Sequence, residues 1–263
     1  MTTRLNRLQI NMPLIGKKIS RFALALVQED FWYNRDLSEH SDFPYKTAPA
    51  PSLTVGDGLG QFSQMPLKST EHYSWESCNG FIDDYNDCLT NKGFSFSQME
   101  IIPGIVTHVY NLHMDAGEDT GDIQARANQL RQLTSYIQAH SQGYPLIVAG
   151  DFNFHFEKKD SADLINYLSF LKETGLTDSC YATQCPEERL DRILYRNNSH
   201  VQLTATSWHL PEGFQDIHGE DLSDHKPVAV DFHYQITPTP EDMKPALASF
   251  NTNDTSAPID SEK

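Results

Sequence analysis

The chain has 263 residues, 38% hydrophobic and 11% aromatic, enough to bury a sizeable core as one large domain or two small ones. Its 20 Lys and Arg stand against 36 Asp and Glu, a formal charge of −16, and such a surface repels a phosphate backbone and argues against tight, nonspecific nucleic-acid binding. No stretch approaches the ~18 apolar residues of a membrane span, and Met1–Lys18 has basic residues but no clean apolar core before a cleavage site, so no signal peptide is expected there.

In chain order, residues 22–28 are an apolar run closed by Glu29 and Asp30, the pattern of a buried strand ending in acids. Residues 38–100 are rich in Ser, Asp, Pro, Gly and aromatics and predict short strands between long loops. Within them, Gly56–Ser63 suggests a turn entering a strand, and Asn91–Glu100 another strand. Ile105–His113 predicts a further strand. Asp122–His140 has apolar positions at helical spacing (Ile123, Ala127, Leu130, Leu133, Ile137), with Asp119 or Thr120 as cap. Leu146–Ala149 is a short buried strand delivering Asp151. Residues 160–173 predict a second amphipathic helix with Leu164, Tyr167, Leu168 and Leu171 on one face. Leu190–Tyr195, Leu203–Trp208 and Val228–Tyr234 are late strands. This order fits an α/β sandwich of two sheets with helices outside. From about Ile236 a Pro-, Thr-, Ser- and acid-rich stretch predicts a disordered tail over 236–263 after a domain at 1–235.

The four cysteines, Cys78, Cys88, Cys180 and Cys185, fall as two local pairs without a CxxC motif. Two short-range disulfides in a secreted protein is the reading adopted, against four free thiols in a cytosolic one. Asn197-Asn198-Ser199 and Asn253-Asp254-Thr255 match the glycosylation acceptor pattern, one common by chance.

Polar groups with chemical potential collect where apolar runs meet loops. In Gly150-Asp151-Phe152-Asn153, a strand-end Asp can accept a proton from water, and an Asn two positions on faces the same side if the chain stays extended. A strand-to-turn boundary favours the same residues for backbone reasons. Ser223-Asp224-His225-Lys226-Pro227-Val228 sets an acid and an imidazole before a terminal strand. There, a carboxylate can bind a hard cation and an imidazole can contact phosphate or move a proton. Asp191 is placed to orient His225 and stabilise its charged form, or else to pair with Arg192 or Arg189. His113 can hold a phosphate oxygen or protonate a leaving group, while Asp115 either orients a neighbour or starts the turn at Gly117. Glu29, at a strand end, suits Mg²⁺, which needs only one or two carboxylates.

Taken in order, Gln28-Glu29, Asn111-Leu112-His113, Asp151-Phe152-Asn153, Asp191 and Asp224-His225 resemble the motifs of the endonuclease/exonuclease/phosphatase (DNase I-like) superfamily over roughly residues 20–235. Gly56–Leu67 and Asn91-Lys92-Gly93-Phe94 look similar to its sphingomyelinase-like branch. The resemblance implies a four-layer α/β sandwich of two packed β-sheets flanked by helices. It implies Mg²⁺, with Mn²⁺ as a substitute, held by Glu29 and Asp224. It implies Asp151 aligning or deprotonating water, Asn153, His113 and His225 stabilising the transition-state phosphate, and Asp191 paired with His225. Family members usually open with a strand carrying a metal-site Asn. Here Met1–Lys18 looks like the linker and helix that follow it, so an inner strand and one metal ligand are expected to be missing. The expected function is a Mg²⁺-dependent phosphoesterase whose substrate is a nucleic acid, a lipid head group or a small phosphoester. A lipid substrate calls for an apolar contact loop, for which Tyr73, Trp75 and Phe81 are candidates. A catalytically impaired binding protein is the alternative.

Overall fold

The structure is a computed structural model, and it describes residues 4–50, 56–80, 88, 91–154, 161–186 and 189–237. Phe81, Asn253 and most of the expected tail lie outside the described residues. Five helices and eleven strands follow in the described chain: α1 (Arg4–Ile19), β1 (Leu24–Val27), α2 (Asn34–Glu39), β2 (Tyr45–Thr47), β3 (Gly60–Ser63), β4 (Leu67–Ser74), β5 (Gly93–Ile102), β6 (Ile105–His113), α3 (Thr120–His140), β7 (Leu146–Asp151), α4 (Ala162–Thr174), β8 (Thr177–Asp178), α5 (Ser179–Thr183), β9 (Asp191–Arg196), β10 (Val201–His209) and β11 (Ala229–Ile236).

Six strands make one sheet in the order β4-β5-β6-β7-β9-β8. Only β6 and β7 run parallel within it, because α3 carries the chain from the end of β6 back to the start of β7. Alternation along each strand divides its side chains between two cores. Leu146, Val148, Tyr110, Leu112 and Leu194 face α3 and α4, where Leu130, Leu133, Ile137, Tyr167 and Phe170 cover them. Val109, Ile147 and Ile193 face the other way, onto Leu24 and Leu26 of β1.

The second layer of strands is split. It comprises β1-β3-β2 and the separate pair β10-β11. Both pieces rest on the same face of the six-stranded sheet, β1 in the cluster with Ile193 and β10-β11 against Tyr195, two residues along β9. Beyond β1, Ala25 and Val27 pack with Phe62, Phe43, Leu37 and Ile19, so α1 and α2 close the fourth layer. The order is therefore helices, sheet, split sheet, helices, the α/β sandwich expected.

Asp119 caps α3 through a capping box with Asp122, and Ser161 caps α4, satisfying helix-end N–H groups that would otherwise be orphaned. One face assignment in α4 is corrected. Leu168 is 49% exposed and Phe170 is buried instead, because the helix turns Asp163, Tyr167, Phe170 and Thr174 inward. Asp163 lies there to receive the fully buried Arg126 of α3 at 3.2 and 2.7 Å. Both local cysteine pairs are disulfides, Cys78–Cys88 and Cys180–Cys185, with Cα separations of 5.4 and 4.8 Å. Of the aromatics expected to form an apolar loop, Tyr73 and Trp75 are partly buried and pack against the first core. Tyr73 stacks on Phe94 at 5.2 Å, and the Trp75 indole donates to the His113 carbonyl at 2.7 Å. Among the described residues no helix is long and apolar enough to cross a membrane.

Candidate active site

Strand register assembles the centre of the site. His113 on β6 lies beside Asp151 on β7, and Asp151 lies beside Asp191 on β9. The row is three strand ends wide. All three residues share parity with Val109, Ile147 and Ile193, so they face the second layer. Gly150 permits this close join: a Cβ there would stand 2.0 Å from the Leu112 carbonyl oxygen, and its φ is 144°. Two loops from the split layer complete the site. Glu29 follows β1, and His225 precedes β11.

His225 Nδ1 meets the Asp191 carboxylate at 3.0 and 3.3 Å. That hydrogen bond, with the negative charges of Asp191, Asp151 and Asp224, raises the imidazole to about 9 despite partial burial. It is therefore a cation at neutral pH. Asp191 makes the His225 pairing expected of it, while Arg192 turns inward to Asp178 at 2.9 Å. Burial, then the like charge of Asp191, pushes Asp151 up to about 6. His113 is 1% exposed. Burial first, then the nearby charges of Lys92 and His225, holds it well below the usual imidazole range. It is neutral, with Nε2 at 3.7 Å from Asp151 and 3.8 Å from Glu29. Of the two roles open to His113, this favours a neutral N–H toward a phosphate oxygen over protonation of a leaving group, since a desolvated ring resists charging.

Asn153 departs from the expected extended geometry. Its φ is 52°. Its backbone N–H donates to Asp151 Oδ1 at 2.9 Å, and its amide donates to the Met114 carbonyl at 3.0 Å and to Asp151 Oδ2 at 3.2 Å. Both amide hydrogens are engaged, so in this arrangement Asn153 fixes the Asp151 carboxylate. Asp115 accepts from the Asn79 backbone at 2.6 Å and from Gln129 at 2.7 Å, which makes it a loop anchor.

Oxygen or nitrogen atoms of Asp151, Asp191 and His225 lie within 4.8 Å of one another. The Glu29 carboxylate, 62% exposed on its side chain, faces the same row across His113. Asp224 is exposed, with its carboxylate 3.4 Å from the Ser223 hydroxyl, and it stands outside that trio. Closely set hard oxygen donors, one of them destabilised as an anion by its neighbour, fit a divalent cation of the Mg²⁺ type. His225 is a poor ligand here because Nδ1 is engaged by Asp191 and the ring is protonated.

Sequence reasoning missed Lys92. It is 8% exposed, donates to the Met114 carbonyl at 3.2 Å, and its charge acts on both His113 and Asp151. The signal was the Asn91–Phe94 segment, noted as a family likeness but not as a source of site residues. Also missed was the role of α1, which holds the loop leading to His225: Asn11 donates to the Leu222 carbonyl at 2.8 Å, and Arg7 pairs with Glu220 at 2.7 Å.

The sequence profile of the Endonuclease/Exonuclease/phosphatase family matches residues 20–225. The chain belongs to this family. Within it, the sphingomyelinase of Mycobacterium tuberculosis is 36% identical over 244 residues, covering 84% of this chain and 47% of that protein. Human sphingomyelin phosphodiesterase 2 is 24% identical over 253 residues, covering 82% of this chain and 58% of its own length. The chain thus spans about half the length of the curated relatives it matches. Among solved structures, Staphylococcus aureus beta toxin superposes with a TM-score of 0.63 at 18% identity, over 85% of this chain and 92% of the toxin. Danio rerio TDP2, solved with a single-strand DNA product, superposes with a TM-score of 0.66 at 15% identity, over 88% and 94%. These superpositions carry the DNase I-like fold alone. The sequence likeness places the chain near the sphingomyelinases of the family.

Proposed function

We propose that the chain is a Mg²⁺-dependent phosphodiesterase that hydrolyses the phosphodiester of a sphingomyelin-type lipid head group. The observation that carries the reaction class is the in-register row His113, Asp151, Asp191 with the charged His225 against it. The substrate class rests on the 36% identity to a sphingomyelinase. The net charge of −16 weighs against a polyanionic substrate and is compatible with a zwitterionic one. Trp32, three residues beyond Glu29 and 66% exposed, gives that side of the site an aromatic surface.

Glu29 would hold the cation beside this row, and the cation would supply positive charge to a phosphoryl oxygen. Asp151, tuned to about 6, is ionised at neutral pH and basic enough to take a proton from the attacking water. Asn153 keeps both carboxylate oxygens in place for that task. His225, charged through Asp191, faces the phosphate as a fixed cation, and His113 offers a neutral N–H. Lys92 adds positive charge beneath them. Water adds to phosphorus as Asp151 takes its proton, the P–O bond to the alcohol breaks, the leaving oxygen takes up a proton from solvent, and a phosphomonoester and an alcohol are released; Asp151 then returns its proton to solvent.

Hydrolysis by the purified chain of sphingomyelin, DNA, RNA and a simple phosphate monoester, with Mg²⁺ and with chelator, tests this reading. Mg²⁺-dependent turnover of sphingomyelin is the expected result, with Asp151→Asn and His225→Ala each slower by on the order of 10²–10⁴-fold. Preferred turnover of DNA would move the chain to the nuclease side of the family. Unchanged turnover in both variants would remove the assigned site.

A further inference from the structure

Glu29 is a non-glycine residue with φ 59°, a conformation that costs on the order of 1 kcal/mol and persists only where the surroundings over-determine it. Its surroundings supply ties on both sides. After it, the Asp30 N–H donates to the Gly58 carbonyl at 3.0 Å, and the Phe31 N–H returns to the Glu29 carbonyl at 2.8 Å. Before it stands one fully buried side chain, Asn111 of β6. The Asn111 amide donates to the Val27 carbonyl at 3.0 Å and to the Gly60 carbonyl at 3.1 Å, and its oxygen accepts from Gln28 Nε2 at 2.5 Å. Three bonds from one residue thus tie the six-stranded sheet to Val27 and Gln28, the two residues preceding Glu29, and to Gly60 of β3.

A second tie backs the first. Ser95 lies opposite Asn111 in the register of β5 and β6, and it accepts from Gln61 of β3 at 2.7 Å. Ser95, Gln61 and Asn111 are each no more than 1% exposed. A polar group between two sheets is costly unless satisfied, and here Asn111 and the Gln61 N–H find their partners across the sheets, although Gln61 Oε1 has none. An apolar contact at the same place would let β1 slide by fractions of an ångström. A hydrogen-bonded one does not. Asn111 also sits two residues before His113 on the same strand face, so a single strand carries both the anchor and the imidazole that Glu29 approaches at 3.8 Å.

We infer that Asn111 is a positioning residue for the candidate cation site: it holds Val27 and Gln28 so that the Glu29 carboxylate meets the His113–Asp151 row. This rests on the reading of Glu29 as a cation ligand. Groups that orient a ligating side chain typically contribute about 10–100-fold to metal affinity.

The test is Mn²⁺ binding to the full chain, followed by electron paramagnetic resonance and calorimetry. It uses the parent, Asn111→Leu, Glu29→Gln and the double variant, each checked for folding by circular dichroism. The expected result is Mn²⁺ affinity reduced about 10-fold or more by Asn111→Leu and by Glu29→Gln, with no further loss when the two are combined, because Asn111 acts through Glu29. If Asn111→Leu unfolds the chain, Gln28→Leu removes only the bond from Gln28 to the Asn111 oxygen and is expected to weaken Mn²⁺ in the same non-additive way. Parent-like affinity in folded Asn111→Leu, or losses that simply add, would overturn the inference while leaving the cation site standing. Parent-like affinity in Glu29→Gln would overturn the cation reading itself, and the inference with it.

Discussion

At the scale of single residues, environment assigns opposite protonation states to two imidazoles in one site. His113 is sealed and neutral; His225 meets Asp191 and is charged. A group whose folded value lies above its unfolded one stabilises the fold at low pH and loses that contribution as pH rises through the folded value. For His225 the loss is expected as pH approaches about 9, and for Asp151 between about 4 and about 6, from its ordinary 3.8 to about 6. In chelator, NMR titration is expected to show His225 charged well above neutrality and Asp191→Asn returning it toward ordinary imidazole values. Thermal unfolding in chelator is expected to show Asp151→Asn stabilising the chain at pH 7, since it removes a carboxylate that folding makes harder to ionise. Destabilisation by Asp151→Asn in chelator would mean that its hydrogen bonds with Asn153 outweigh its desolvation.

At the scale of elements, the site depends on two tight joins. The first is between β6 and β7, where Gly150 leaves no room for a side chain. Gly150→Ala sets a Cβ 2.0 Å from the Leu112 oxygen at an unfavourable φ, and it is expected to cost more than ~2 kcal/mol in urea unfolding. The second is between α3 and α4, where Arg126 pairs bidentately with Asp163 and also donates to the Asp115 and Gly117 carbonyls at 3.0 and 2.8 Å. Arg126→Ala strands a buried carboxylate and frees the loop that follows His113, with an expected cost of about 3–5 kcal/mol. Pairing it with Asp163→Leu is expected to recover part of that cost, because the stranded charge is then gone. No recovery in the double variant would assign the loss to the Asp115 and Gly117 carbonyls instead.

At the scale of the whole molecule, the row proposed as the active site is set in a continuous six-stranded sheet, whereas Glu29 and His225 come from loops beside separate pieces of the split layer. The row is rigid by register. The other two residues rely on side-chain anchors, Asn111 for one and the α1 contacts with residues 213–222 for the other. A divalent cation that draws Glu29 to the row is therefore expected to stabilise the assembly, raising the melting temperature with saturable dependence on Mg²⁺. Glu29→Gln is expected to blunt that rise. A cation-independent melting temperature would remove the proposed coupling between the layers.

The pattern of residues alone carried β1, the principal strands, α3 and α4, the sandwich class and both local disulfides, and it supplied the candidate site residues; the short elements α2, β8 and α5 went unread. Those signals are local: period-2 apolar runs, helical spacing, capping acids, near-neighbour cysteines, and polar residues at strand ends. The motif order also carried the family. Spacing along the chain could not show that Asn153 turns left-handed onto Asp151, that Tyr73 and Trp75 pack inward, or that Leu168 faces solvent, because each depends on what a distant element presents. Lys92 entered the site, and Asp115 left it, for the same reason. The linear sequence determined which groups are available; only the packing of two sheets decided their charge states and partners, since burial and neighbouring charge are properties of three-dimensional environment and not of spacing.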